Sequence, residues 1–443
     1  MAEISARKRI WGWFFFDWAS QPYNTLILTF VFAPYFKTVV GDGAQAQASW
    51  GFAVGTCGLI IALLAPILGA FADNSGNRLR WIWLFSIMYV IGSFGLWYAA
   101  PDNFNMTLIL ILFGIGLIGM EFATIFTNAM LPDLGSREEI GSISGNGWAF
   151  GYIGGLLTLI IMLALFVEQP NGKTLIGMTP PFGLDPAAKE GTRFVGPLTA
   201  VWYALFMIPF FLWVRDPKPV SSDPLLVRHA LASLWKTIRS LPKSPSLFAY
   251  LSSSMFYRDA LNGMYTFGGI YAAGVLNWSV VDVGIFGILA IITGAIFAWI
   301  GGRADRRFGP KPVITICILV LTFVAICIVF ISRESVFGMP VEANSKLPDI
   351  GFYILGALIG AAGGALQSAS RTMMVRQANP ERMTEAFGLY ALAGKATSFL
   401  APFLIGIITA ATGSQQLGVS PLIGLFILGL VLLIWVKPKG THA

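Results

Sequence analysis

GAFADNSGNR at residues 69–78 and GGRADRRFGPK at residues 301–311 are one short polar loop written twice, each copy closing a long apolar stretch. Gly69 and Asp73 of the first copy correspond to Gly301 and Asp305 of the second, and the copies lie about half a chain apart. A second match supports the repeat. Asp17, Ser20, Tyr23 and Asn24 reappear as Asp259, Asn262, Tyr265 and Thr266, all four at one common offset. Two matches at similar offsets point to internal duplication, a construction common in membrane carriers.

The sequence around these loops is that of a chain built for lipid. Of its 443 residues, 56% are hydrophobic and 12% charged, with a mean hydropathy of +0.72. That is far from soluble globular composition. A membrane-spanning helix needs about 20 mostly apolar residues. Twelve stretches meet this, near 11–40, 49–71, 81–100, 106–131, 145–167, 196–214, 247–275, 281–301, 311–331, 350–377, 384–411 and 418–436. With twelve spans, most of the 29 Lys and Arg fall on the side of the two termini, so the positive-inside rule puts both termini in the cytoplasm. The net charge of +7 follows from this enrichment beside anionic lipid, and no nucleic-acid partner is needed to explain it. The basic cluster Arg7-Lys8-Arg9 leads straight into a first span too long for a signal-peptide core.

The spans divide into residues 1–214 and 246–443, joined by a basic segment, 215–245. Within it, Asp223-Pro224 is a helix-start signal. Val227, Leu231, Leu234, Trp235 and Ile238 then share one helical face while Arg228, Lys236 and Arg239 lie elsewhere, the pattern of a helix lying on a membrane surface. Cys57, Cys317 and Cys327 sit in apolar stretches at no metal-ligand spacing and read as packing residues. His229 and His442 are the only histidines and fall outside the spans, so no metal centre, histidine base or other cofactor is expected. No nucleophile–base constellation suggests an enzyme. The glycine runs Gly51, Gly55, Gly58, then Gly151, Gly154, Gly155, and Gly356-x-x-x-Gly360 read as places where helices approach closely, and no strand precedes them as a phosphate-cradling loop requires.

Gly69, Asp73, Gly76 and Arg78 resemble the cytoplasmic G-x-x-x-D-x-x-G-x-R loop of the major facilitator superfamily, with Asp305, Gly309 and Lys311 a looser second copy. Within that superfamily the chain resembles the branch named after the autophagy-related vacuolar amino-acid effluxer, which has many bacterial members. The resemblance rests on Phe16-Asp17-Trp18-Ala19-Ser20 with Tyr23 and Thr25, and on Asn128 with Leu131-Pro132-Asp133. It continues in Ser144-Gly145 with Gly151-Tyr152-Ile153-Gly154-Gly155, and in Gln367 with Ser370-Arg371. It implies an all-α polytopic fold of two six-helix halves, alternating access, and a cavity lined by the first, fourth, seventh and tenth helices. It also implies an amino-acid-like substrate and a loop acid, Asp73, that stabilises one closed state. Gln21-Pro22 departs from the branch, where smaller non-proline residues are expected, and Pro22 is expected to bend the first span.

Six ionisable residues fall well inside spans: Asp17, Glu121, Arg258, Asp259, Arg371 and Lys395. Charges there are costly and default to a functional reading, with structural ion pairs the competing one. Asp259 comes about 18 Å into its helix at 1.5 Å per residue, near the midplane. Asp17, Ser20 and Asn24 share a helical face, as do Asp259, Asn262 and Thr266, and Gln367 with Arg371. Arg258 and Asp259, being adjacent, point in different directions. Tyr23, Trp148, Tyr152 and Tyr265 suit either an ammonium group or aromatic packing. The sequence therefore predicts a monomeric secondary carrier in a bacterial inner membrane. Arg371 or Lys395 would hold the carboxylate of a small zwitterion, Asp17 or Asp259 would face its ammonium, and one of these acids would bind a coupling proton. The alternatives are a carrier of lipids or hydrophobic amphiphiles, and a non-transporting membrane sensor or scaffold.

Overall fold

The computed structural model describes residues 5–75, 78–130, 133–135, 140–216, 239, 244–342, 344–377, 389–390, 392–394 and 396–438. The proposed surface helix over 223–239 lies outside them, apart from Arg239. Among the described residues nine helices are long and apolar enough to cross a membrane. The first, seventh and eleventh expected spans are not among the nine: the first is interrupted, the seventh is less apolar, and the helix described within the eleventh, Leu400–Thr412, is short. Stripes such as Trp83, Ile87, Ile91 and Phe94 on one helix are exposed, which suits contact with lipid and not with water.

The chain divides into two compact units, Met1–Val39 with Leu63–Leu234, and Val40–Ala62 with Trp235–Ala443. The first contains α1 (Ala6–Pro22), α2 (Phe32–Val40, ending at the unit boundary), the second part of α3 (Gly43–Ser75), α4 (Arg78–Gly95), α5 (Met106–Ala129), α6 (Ile140–Ile161) and α7 (Val195–Trp213). α1 packs on α6 and α7, and α4 on α5 and α7. Glycines set these approaches. A side chain at Gly92 would meet the backbone of Gly116, and one at Gly154 the carbonyl of Trp18.

The first span is three pieces and not one continuous helix. Pro22 has no N–H to give the carbonyl of Trp18, so the α-helical ladder ends there. The backbone widens into a π-helical stretch, Tyr23–Phe30, breaks at Val31, and resumes as α2. The expected bend at Pro22 thus takes the form of a change in helix type.

The second unit contains residues 40–62 with α8 (Pro245–Val275), α9 (Val280–Phe308), α10 (Pro310–Val329), α11 (Leu347–Gln377), α12 (Leu400–Thr412) and α13 (Pro421–Leu433). α11 packs on both α9 and α10, and α8 on α13. Gly356, Gly360 and Gly364 line one side of α11 and meet Phe286, the carbonyl of Ala290 and Gly294 of α9. Residues 40–62 join this unit through Gly51, Gly55 and Gly58, which abut Pro402, Gly406, Phe403 and Phe399. Buried amides complete the contact: Gln47 donates to the hydroxyl of Thr409 at 2.8 Å and to the carbonyl of Gln415 at 3.1 Å. Cys57, Cys317 and Cys327 are buried, as packing residues would be.

Candidate functional site

In the first unit α1 and its π-helical continuation carry Asp17, Ser20, Tyr23 and Asn24. Asp17 is half-buried, and a side chain at Gly147 of α6 would run into its carboxylate. Ser20 is buried, and its carbonyl accepts a long hydrogen bond, 3.4 Å, from the hydroxyl of Tyr89. Tyr23 is fully buried and donates to the carbonyl of Phe113 at 2.6 Å, which ties the span to α5. Asn24 reaches the sulfur of Met120 at 3.9 Å, and Glu121, half-buried, follows on the same helix. Tyr152 is exposed on α6 beside Trp148, ring centroids 5.6 Å apart. The structure therefore brings the α1 residues against α5 and α6, with Tyr23 serving packing.

In the second unit the face shared by Asp259, Asn262 and Thr266 is divided by burial. Asp259 is 2% exposed, Asn262 is exposed and Thr266 is buried. The Asp259 carboxylate accepts from the backbone N–H of Ala401 at 2.9 Å through Oδ2, while Oδ1 is buried with no hydrogen-bond partner. Among the described residues it has no ion-pair partner. Arg258 turns the other way, as adjacency requires, and stacks on Tyr390 at 4.2 Å. Tyr265 lies with its hydroxyl against Gly363 of α11. Gln367 is half-buried and Arg371 exposed further along that helix. Lys395 lies outside the described residues.

The tyrosines of α8 form a cluster that sequence reasoning missed. Tyr257 and the Ser370 hydroxyl are 2.8 Å apart, and Tyr250 donates to the Ser370 carbonyl. Tyr250 and Tyr390 stack with centroids 6.1 Å apart. The available signal was the seven-residue spacing of Tyr250 and Tyr257, which puts both on one helical face.

At the loop motifs, Gly76 lies outside the described residues, as does the side chain of Asp73. Arg78, which begins α4, pairs with Asp133 at 2.9 Å, and Arg9 donates to the Asp133 carbonyl at 2.9 Å. Two stretches singled out separately in the sequence thus meet. Asp216, just past α7 and not singled out, accepts from the Leu79 N–H at 3.2 Å, where a helix N-terminus favours an anion. Burial raises its carboxyl above the ordinary range. In the second copy, Asp305 is 4% exposed with Oδ1 unpartnered. It lines a cavity of about 620 Å³ between α9 and α11 with Arg303, Ser368, Thr372 and Arg376.

Outside the spans, Glu168 follows the fifth span and is buried. It accepts from the Thr192 N–H and hydroxyl, both at 3.0 Å, with the Lys189 ammonium at 3.8 Å. Burial is the largest influence on it and raises its carboxyl above the ordinary value.

Helices of this length and apolarity mark an integral membrane protein, and comparison of the fold agrees. The structure resembles a D-xylose–proton symporter with a TM-score of 0.69 at 13% identity, covering 98% of this chain and 99% of that one. It also resembles a point mutant of the nucleoside transporter NupG at 0.64 and 15% identity, covering 97% and 100%. The fold is the major facilitator fold.

More narrowly, the chain belongs to the family of vacuole effluxer Atg22-like proteins, whose model matches residues 46–441. It is 25% identical over 439 residues to the uncharacterized MFS-type transporter YxiO of Bacillus subtilis, covering 97% of this chain and 95% of that protein. It is 26% identical over 315 residues to autophagy-related protein 22-2 of Emericella nidulans, covering 66% of this chain and 50% of the relative. The chain therefore spans about half the length of the fungal relatives it matches.

Proposed function

We propose that this carrier moves a small zwitterionic metabolite, an amino acid in the simplest case, by alternating access between its two six-helix halves. Arg371 or Lys395 takes the carboxylate, and Asp17 or Asp259 faces the ammonium. Ser20, Asn24, Asn262, Gln367, Glu121, Tyr152 and Tyr265 complete the lining, while Tyr23, expected there from its spacing, is fully buried and holds the first span to Phe113 instead. Transport is coupled to a proton carried by Asp259 or, failing that, Asp17. A carboxylate moved between apolar surroundings and a neighbouring cation loads and releases a proton. The observation that carries this reading is Asp259, a carboxylate buried to 2% exposure with one oxygen unpartnered in a chain whose family is named for efflux. The protein acts as a monomer in a bacterial inner membrane, with Asp73 and Asp305 in the loops that alternately close.

A thermal-shift screen against amino acids, betaines, sugars and lysolipids identifies the cargo, because a ligand that binds the folded form stabilises it. Selective stabilisation by lysolipids replaces the zwitterion reading with the amphiphile one. With the ligand in hand, Asp259→Asn in proteoliposomes is expected to lose accumulation driven by a pH gradient and to retain exchange at equal pH. Unchanged pH-driven accumulation removes Asp259 from the coupling step. Reporter tags at both termini and within 225–240 are expected to read cytoplasmic and one within 171–190 external. An external C-terminus overturns the topology.

A further inference from the structure

The eleventh span is discontinuous. The chain is helical at 389–390, 392–394 and 396, turns at 397–399, and resumes as α12 at Leu400. Phe399, the N-cap of α12, has no side chain able to accept from the first free N–H groups, and no local side chain caps the helix. Asp259 of α8 does so from outside: its Oδ2 accepts from Ala401, the second helical residue, at 2.9 Å, the position an N-cap side chain normally serves.

The residue before it holds the other side of the break. Arg258 donates to the Tyr390 carbonyl at 3.1 Å and covers that ring at 4.2 Å. Gly394 gives the guanidinium room, since a Cβ there would lie 2.7 Å from both terminal nitrogens. The turn itself is pinned to α8 by a long hydrogen bond, 3.4 Å, from the Thr397 hydroxyl to the Met255 carbonyl. One turn of α8 thus touches the chain before, at and after the interruption.

We propose that Arg258 and Asp259 are a pair of positioning residues that clamp the eleventh span on either side of a hinge at Thr397–Phe399. Whatever occupies the unpartnered Oδ1 of Asp259 is thereby transmitted to the start of α12. The adjacency that prevents the two from neutralising each other lets them grip different pieces of the same span. A full negative charge facing a helix N-terminus favours the helix more than a neutral group does. A proton or ligand ammonium at Oδ1 reduces that advantage while leaving Oδ2 as an acceptor. The clamp stands without any assumption about cargo; only its use in coupling rests on the carrier reading above.

The test is amide hydrogen exchange of the full-length protein in lipid nanodiscs, read peptide by peptide, which needs no substrate. Asp259→Ala is expected to speed exchange over residues 400–403 about five- to tenfold, the size of a lost N-cap, and to leave 406–412 unchanged. Asp259→Asn keeps an acceptor and loses the charge, so its exchange is expected to fall between wild type and Asp259→Ala. Arg258→Met is expected to raise exchange over 389–396 and not over 400–403, and Arg258→Lys to raise it less. Equal exchange over 400–403 in wild type and Asp259→Ala overturns the cap. A rise spread evenly over α12, with Asp259→Asn no better than Asp259→Ala, reduces Asp259 to a packing residue and overturns the positioning role. Loss of pH-driven transport with exchange as expected for the clamp, or the reverse, separates the two proposals.

Discussion

Trp202 donates its indole N–H to the backbone carbonyl of Trp18 at 3.1 Å, the acceptor that Pro22 leaves without its helical partner. The proline opens the ladder of the first span, and a tryptophan from α7 closes the vacancy. Gly154 of α6 keeps the approach to that carbonyl clear. Trp202→Phe keeps an aromatic ring, though a smaller one, and removes the donor, so it is expected to destabilise the protein by about 0.5–1.5 kcal/mol for the part-buried hydrogen bond, with some loss of stacking on Trp18 besides. Pro22→Ala, which restores an N–H to the same carbonyl, is expected to recover part of that loss in the double variant. Thermal unfolding of the four proteins in one detergent measures the coupling. Strict additivity would show that the indole N–H matters only as ring packing.

Gly360 of α11 faces the carbonyl of Ala290 on α9 so closely that no Cβ fits without moving backbone. Backbone gives way less easily than a side-chain tip. Gly360→Ala is therefore expected to cost about 1–3 kcal/mol as an overpacked contact, and Gly360→Val more. Gly302, which meets nothing within reach of a Cβ, is the control and is expected to tolerate alanine with little change in midpoint temperature.

These two contacts mark what could and could not be read from the chain. Apolar length and the repeated Asp73 and Asp305 loops carry the fold, because lipid forces each span to satisfy its own backbone and so leaves a direct trace in composition. Pro22 was visible as a disturbance, but its partner Trp202 was not, because nothing local links residues 180 positions apart. The site was legible as residue types and faces. Helical periodicity grouped Asp259 with Asn262, yet burial separates them, because the side of α8 that meets α12 depends on where the eleventh span breaks. The sequence signal for that break was Pro402, which has no N–H to give the Ser398 carbonyl, but it falls inside α12 and not at the turn itself. Asp216 was hidden for a similar reason: its role at the start of α4 comes from tertiary proximity, not spacing.

Glu168 gives a pH-dependent prediction on the loop between the fifth and sixth spans. Its folded carboxyl holds a proton to higher pH than the unfolded one, because burial outweighs the Thr192 hydrogen bonds and the Lys189 charge. The folded loop is then relatively most stable below the unfolded value. Stability falls as pH rises through it and levels off above the raised folded value. Glu168→Gln keeps an acceptor for Thr192 and removes the titration. Hydrogen exchange over residues 167–194 between about pH 4 and pH 8, corrected for intrinsic rates, is expected to show loosening in wild type and a flatter profile in Glu168→Gln. Identical profiles would assign the slope to other groups.

Arg78 and Asp133 provide the remaining test, because they join two sequence stretches that were recognised independently. Their separation is 2.9 Å, but Asp133 is 45% exposed, so solvent screens the pair and its contribution to stability is about 0–1 kcal/mol. A contact this weak suits a part that breaks and re-forms more than one that holds a fold together. Arg78→Gln and Asp133→Asn are accordingly expected to shift thermal midpoints little, and to leave ligand-induced stabilisation near the wild-type value. Each is expected to change the rate of exchange across proteoliposome membranes. The charge exchange, Arg78→Asp with Asp133→Arg, restores the attraction in reverse and is expected to recover most of the rate lost by Arg78→Asp alone. Asp216, which accepts from Leu79 N–H beside the introduced acid, opposes full recovery through like-charge repulsion, and adding Asp216→Asn is expected to complete it. If the exchanged pair is no faster than Arg78→Asp alone, with or without Asp216→Asn, the contact is incidental to transport.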